Sequence, residues 1–406
     1  MAITHSSVGR SIRRASIYDV RSRCARTLLA GLLFVFSAAN VHGHSGHAGR
    51  QPMPPAMAMQ LQSALDDLKR YGVLGAVLAV EGGVLERRAF VTGHADLERS
   101  QPMSADLQFM AASQTKMLTA AAVLLLEKEG RLSLDDPPAR YVEGAPGDGV
   151  TLRHLLLHTS GIGDGVELFA PPVPWQRTTF SLSDLLLLGR IVGPAFEPGA
   201  RYAYNNTGYV ILGAVVERVA GMTRERFVRE RILGPLGMTH TWFGTGERWP
   251  RERMARGYIW ERKYERVQDT SNPPDLSWAG AAGDMVTTAG DMLTWLSALR
   301  EPNNPLGLTL DDFTAVTVET GERSTDVRYG YGLSGQMAGG LLVWGHGGSI
   351  PGYLSVSSLH PATGVAVSLL LSLDGAPDAS LSKTVSAMLD VLTTAVTLGV
   401  SLDRLQ

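Results

Sequence analysis

A chain of 406 residues, 44% of them hydrophobic and 19% charged, carries enough apolar content to bury a large core divided between two subdomains. Its formal net charge of -2 offers nothing to a polyanion or an anionic membrane surface, which excludes nucleic-acid partners and basic surface docking. Basic residues are mostly arginine, with lysine only at Lys69, Lys116, Lys128, Lys263 and Lys383, so a lysine at a defined spacing carries information.

The first stretch is targeting sequence in form. Arg10, Arg13, Arg14, Arg21, Arg23 and Arg26 precede an apolar run from Leu28 to Ala39, and small and polar residues follow. This is the n-region, h-region and cleavage-site order of a secretory signal, assigned to residues 1–43 with cleavage near 39–43. The run falls short of the roughly 20 residues of a membrane span. Periplasmic or secreted localisation with no stable membrane anchor is expected. Cys24, the sole cysteine, lies before the apolar run and leaves with the signal. The mature chain then has no disulfide, thiol nucleophile or thiolate metal site. Residues 44–57 read as a flexible linker, and His42, His44 and His47 in this Gly- and Pro-rich region read as solvated rather than as a metal site.

Leu61, Ala64, Leu65 and Leu68 repeat at helical spacing between Gln60 and Tyr71, and Gly72 ends that element. Val73 to Val80 and Val84 to Val91, joined by Glu81-Gly82-Gly83, predict a β-hairpin. A helix follows Ser113 and stops near Gly130. Thr151 caps a helix from Leu152 to His158, and Ser181 with Asp184 forms a capping box before Leu185 to Leu188. Helices from Asn206 to Ala220 and from Thr223 to Leu233 close at Gly221 and Gly234. Strand patterns return at Leu341 to Trp344, Leu354 to His360 and Val365 to Leu373, the last two joined by the turn Pro361 to Gly364. A final amphipathic helix carries Val385, Met388, Leu389, Leu392 and Val396 on one stripe. Strands at both ends and helices between them predict an α/β (α+β) fold. Its antiparallel sheet is built from N- and C-terminal segments, about 58–110 and 280–397, and flanked by helices. An all-helical subdomain, about 111–279, is inserted, a cleft lies where the two meet, and 398–406 form a tail. The Pro-rich loop Phe169 to Thr179, with Trp175, borders that cleft.

Three stretches carry candidate chemistry. Ser113 and Lys116, in Ser113-Gln114-Thr115-Lys116, share a helix face one turn apart, which lets the amine take the hydroxyl proton once burial depresses its pKa from about 10.4. Ser380 and Lys383 repeat this spacing without any polar cluster downstream, so they read as a helix cap and a solvated lysine. Tyr204 and Asn206 lie on a tight loop before a helix, where a tyrosine can exchange protons and an amide can both donate and accept. His346, Gly347, Gly348 and Ser349 follow a strand, and the glycines allow a substrate backbone to approach closely.

In this order, Ser113-Gln114-Thr115-Lys116, Tyr204-Asn205-Asn206 and His346-Gly347-Gly348 resemble the serine β-lactamase and penicillin-recognising DD-peptidase superfamily, in its class C β-lactamase, DD-carboxypeptidase and esterase branch. The likeness runs from about Leu61 to Leu392 and includes Leu156 to Gly161 and Ala281 to Ala289. It implies a β-lactamase/transpeptidase-like domain over residues 58–397, without a cofactor or metal. Ser113 would form an acyl-enzyme, Lys116 and Tyr204 would share its proton, and Asn206 would hold Lys116 and the substrate amide. The backbone N–H groups of Ser113 and Ser349 would form the oxyanion hole. His346 stands where many relatives carry lysine and supplies a partial positive charge or a hydrogen bond. Gly347 replaces the hydroxyl residue with which β-lactamases recognise a carboxylate.

The expected protein is therefore an exported, monomeric serine hydrolase, DD-peptidase-like or esterase-like, acting on a small-molecule or peptide acyl substrate. A class C β-lactamase and a penicillin-binding sensor that acylates without turnover are the alternatives. No serine has the G-x-S-x-G flanks of an α/β-hydrolase, and H-E-x-x-H is absent.

Overall fold

Helix α1 (Pro55–Asp67) begins with a proline in its first turn, where the missing N–H costs no hydrogen bond. In the computed structural model, residues 50–166, 179–261, 264–271, 276–321, 328–376 and 380–404 are described. The signal-like segment, the three histidines after it and the loop around Trp175 lie outside them. Residues 55–57, expected in the linker, are helical, and Met57 is buried alongside Leu61 and Leu65. A 3-10 turn then ends at Gly72, whose left-handed backbone (φ 80°) suits glycine.

The hairpin of β1 (Val73–Gly82) and β2 (Leu85–Gly93) follows as expected. Next come β3 (Phe109–Ala112) and α2 (Thr115–Lys128), in which every residue from Thr115 to Leu126 is buried. Thr151 caps α3 (Leu152–Leu156), and the Ser181–Asp184 capping box opens α4 (Leu182–Val192). Helix α5 (Asn206–Ala220) closes at Gly221. Helix α6 (Arg224–Val228) passes through a π-turn at Arg229–Leu233 into α7 (Gly234–Leu236). Gly234 is right-handed there (φ -59°), and Gly237 (φ 70°) ends the element instead. Pro235, with its φ fixed near -65°, carries the chain one turn past the expected stop.

The region 111–279 is not all helical. It holds β4 (Trp242–Phe243), which with β3 and β7 (Met285–Thr287) forms a three-stranded sheet, and a separate hairpin of β5 (Tyr258–Glu261) and β6 (Arg266–Asp269). Segments this short show no readable alternation. After α8 (Ala289–Ala298) and α9 (Leu310–Thr314) come β8 (Val318–Glu319), β9 (Arg328–Tyr329) and β10 (Ser334–Ala338). Then follow β11 (Leu341–Ile350), β12 (Tyr353–Leu359), β13 (Ala366–Leu373) and α10 (Leu381–Arg404).

The main sheet is eight-stranded, in the order β2-β1-β13-β12-β11-β10-β9-β8. Its two ends of chain meet at the antiparallel β1–β13 pair, where Val77 lies opposite Leu370. Alternation along these strands sends Val77, Ala79 and Leu370 into a core shared with α2, α5 and α8. Leu78, Val80, Leu369 and Leu371 point the other way, against α1 and α10. Helix α10 buries Met388, Leu392 and Val396 as expected, and also Val400, so 398–404 belong to the core helix rather than a tail. It is long and apolar enough for a membrane span, but its apolar face packs on the sheet.

Candidate active site

Ser113 sits on the turn between β3 and α2, two residues before the first helical residue. Ala112 ahead of it adopts a left-handed backbone (φ 49°), an uncommon state for a residue with a Cβ. Thr115 holds this turn: its hydroxyl donates to Ala112 O at 2.7 Å and accepts the Met285 N–H at 2.9 Å, which ties the turn to β7. Ser113 is partly exposed, while Lys116 is completely buried.

Lys116 Nζ donates to Ser113 Oγ at 3.2 Å, Asn206 Oδ1 at 2.8 Å and Ala282 O at 2.8 Å. The rings of Tyr204 and Tyr209 lie 4.7 and 5.5 Å from the same atom. Burial pushes the lysine pKa down to about 7, against the opposing pull of the Asp164 carboxylate. The amine is thus half neutral near physiological pH, with its lone pair within reach of the serine proton.

Tyr204 and Asn206 arrive from the loop and first turn of α5. The paired asparagines divide the work. Asn205 is the cap, accepting the Gly208 N–H at 2.7 Å, and Asn206 faces Lys116. The Asn205 N–H donates to His158 Nδ1 at 3.1 Å, which puts the proton of that buried, neutral imidazole on Nε2. The His158 ring packs on Tyr204 with centroids 4.3 Å apart, so one histidine fixes both the backbone and the ring of the tyrosine loop.

His346, Gly347, Gly348 and Ser349 are not on a loop. They form the second half of β11, pairing with β12. The pairing of β11 with β10 stops at Gly345, so among the described residues 346–350 have a strand on one side only. Two glycines disguise this half-strand as a turn. A Cβ on Gly348 would come within 2.1 Å of Ala111 O, so only glycine lets β11 approach the nucleophile turn this closely. Ser355 on β12 fastens the same carbonyl, donating to it at 2.8 Å.

His346 is buried, and that burial, reinforced by the charge of Lys116, lowers its pKa to about 3. The expected partial positive charge is therefore absent, and the ring is neutral. Nδ1 lies 2.5 Å from Gly347 O, a pure acceptor, so Nδ1 carries the proton and Nε2 accepts from the Tyr329 hydroxyl at 3.0 Å.

The structure thus gathers Ser113, Lys116, Asn206 and the rings of Tyr204 and His346 in one place, with Gly347, Gly348 and Ser349 on the adjoining strand. Lys383 is exposed at the start of α10, and Ser380 directly precedes that helix. Among the described residues, no group of three His, Cys, Asp or Glu side chains is placed to hold a metal. Four contributors lacked a usable signal. Ala282 acts through its carbonyl, Thr115 is an unspecified position inside the serine–lysine motif, and Tyr329 belongs to a two-residue strand. Asp164, in Gly163-Asp164-Gly165, resembles ordinary loop sequence.

The beta-lactamase family model matches residues 57–389. Penicillin-binding protein 4* of Bacillus subtilis is 30% identical over 308 residues, 72% of this chain and 67% of that protein. A D-aminopeptidase of Cereibacter sphaeroides is 30% identical over 302 residues, 72% of this chain and 56% of its own length. The chain therefore spans little more than half of the D-aminopeptidase. D-amino acid amidase from Ochrobactrum anthropi SV3, solved with D-phenylalanine, superposes with a TM-score of 0.75 at 29% identity, covering 84% of this chain and 99% of the amidase. From matching sequence, matching fold and a serine–lysine pair in bonding contact, the chain belongs to the beta-lactamase family of serine hydrolases.

Proposed function

We propose that this protein is an exported hydrolase that transfers an acyl group to Ser113 and then to water, with amides and esters of D-configured amino acids or short peptides as its substrate class. The observation that carries the reading is Lys116, buried, lowered to about 7 and 3.2 Å from Ser113 Oγ. Neutral Lys116 accepts the Ser113 proton as Oγ bonds to the substrate carbonyl carbon. The oxygen that becomes negative is received by the backbone N–H groups of Ser113 and Ser349. Collapse breaks the bond to the amine or alcohol, which leaves with a proton delivered through Lys116 and Tyr204. Water repeats the sequence on the acyl-enzyme and regenerates the serine. Asn206 holds Lys116 and offers its amide to the substrate.

The substrate side follows from charge. With His346 neutral and a glycine at 347, these two positions present neither a fixed cation nor a hydroxyl to a carboxylate beside the scissile bond. That favours uncharged amide and ester substrates over β-lactams. The D-aminopeptidase and D-amino acid amidase relatives support D-stereochemistry, and the signal-like N-terminus supports export. A parallel assay of D-phenylalaninamide, a D-Ala-D-Ala peptide, a p-nitrophenyl ester and nitrocefin tests the ranking. The amide and ester should turn over fastest and nitrocefin slowest. Efficient nitrocefin hydrolysis would replace this reading with that of a β-lactamase.

The pH dependence has a definite sign. Lys116 works in its neutral form, so kcat/KM should rise as pH increases through about 7 and level off above it. A rate that declines across that interval would show that the lysine does not act as the base.

A further inference from the structure

Asp164, outside the three motifs, is the anchor of the α5 end of the site. Its Oδ2 accepts the Asn206 backbone N–H at 2.8 Å and the Asn206 side-chain amide at 3.1 Å. Its Oδ1 accepts the Thr207 N–H at 3.2 Å, the Thr207 hydroxyl at 3.1 Å and the Val166 N–H at 3.1 Å. The carboxylate thus sits on the first backbone donors of α5, where the helix N-terminus favours negative charge. Asn205 separately satisfies the Gly208 N–H.

The consequence reaches the reacting atoms through one amide. A carboxylate only accepts, so Asn206 must turn Nδ2 toward Asp164, and its Oδ1 then points at Lys116 Nζ, 2.8 Å away. In the reversed orientation, an NH2 group would face an amine that also donates. We infer that Asp164 is a positioning residue that fixes the Asn206 amide against Lys116 and, through its charge, sets the pH at which the Ser113–Lys116 pair becomes active. This rests on the assignment of Ser113 as nucleophile.

The other groups facing Lys116 do not supply that charge. Tyr204 and Tyr209 come from the α5 segment, His158 from the end of α3 and His346 from β11. Both histidines are held neutral by burial, and Tyr209, its pKa raised by burial, gives its hydroxyl to Leu156 O at 2.8 Å. Among the described residues, the carboxylate of Asp164 is the anion whose field is felt by the lysine, favouring its charged form. Removing it while keeping the side-chain shape lowers the lysine pKa further.

The test is the pH profile of acylation, read as the rate of fluorophosphonate labelling of wild type, Asp164→Asn and Thr207→Val. Asp164→Asn should move the half-maximal pH down by roughly one unit and slow labelling at its plateau by about tenfold, since the Asn206 amide is free to reverse. Thr207→Val removes one bond to the same carboxylate but keeps its charge, so its half-maximal pH should match wild type. The position of the limb is independent of how much variant folds, so partial misfolding leaves it readable. An unchanged half-maximal pH in Asp164→Asn, or an equal shift in Thr207→Val, overturns the inference. A wild type that is never labelled removes the Ser113 assignment itself, and this inference with it.

Discussion

Replacing Ser113 with alanine should lower kcat on any accepted amide or ester by a factor of roughly 10^4 to 10^6, leaving only what the oxyanion donors and binding contribute. The size follows from how the pair is built. Lys116 has no proton to take without the hydroxyl 3.2 Å away, and the hydroxyl is a weak nucleophile without the buried amine. Lys116→Met should therefore cost nearly as much, and the double variant little more than either alone. Substrate affinity should change far less, because Asn206 and the 346–349 strand remain. Retention of substantial turnover by Ser113→Ala on every substrate would remove the nucleophile from the account.

The second large effect concerns stability. Arg224 is buried on α6 and clamps Asp284 with both arms, Nη1 to Oδ1 at 3.1 Å and Nη2 to Oδ2 at 2.5 Å. It also bonds Glu225 Oε1 through Nε at 3.1 Å and Nη2 at 2.7 Å, and its guanidinium lies 4.6 Å from the Phe243 ring centroid. Asp284 is completely buried, and that burial pushes its pKa up to about 6 even with Arg224 pulling it down. Arg224→Met keeps the apolar stem but leaves two carboxylates without their cation. The expected loss is about 3–5 kcal/mol in urea unfolding, much more than an exposed ion pair would show. In the variant, the folded pKa of Asp284 rises further above its unfolded value, so the native state holds a proton that the unfolded chain releases. The deficit should therefore widen as pH rises above about 6 and stay level below it, where both native states already hold the proton. A loss below about 1 kcal/mol would mean that the pair adds little beyond packing. The site should suffer too, because Asp284 is followed by Met285, whose N–H holds Thr115, and preceded two residues earlier by Ala282, whose carbonyl holds Lys116.

These two sites differ in how far they could be read in advance. Ser113, Lys116, Tyr204, Asn206 and His346 were legible because three short motifs in this order resemble a known superfamily, whereas the serine–lysine spacing alone recurs at Ser380 and Lys383. The hairpin at 73–93, the helices capped at Thr151 and Ser181, the helix closed by Gly221 and the closing sheet at 354–373 were legible because alternation and capping leave local marks. Uncapped strands of two to four residues leave none, which is why β4 to β6 are not readable inside a region expected to be helical. The second half of β11 was hidden by the glycines that let it meet Ala111. The charge state of His346 depends on burial rather than on any neighbour in sequence. Asp164 and Asp284 matter through partners 42 and 60 positions away, a relation that one sequence does not display.

Mass spectrometry of the intact protein, mixed briefly with a slowly deacylating ester and quenched in acid, tests the central claim most directly. Wild type should gain the mass of one acyl group, localised by peptide mapping to Ser113 and lost on longer incubation, while Ser113→Ala should gain nothing. Acylation at another residue, or undiminished labelling of Ser113→Ala, would contradict it.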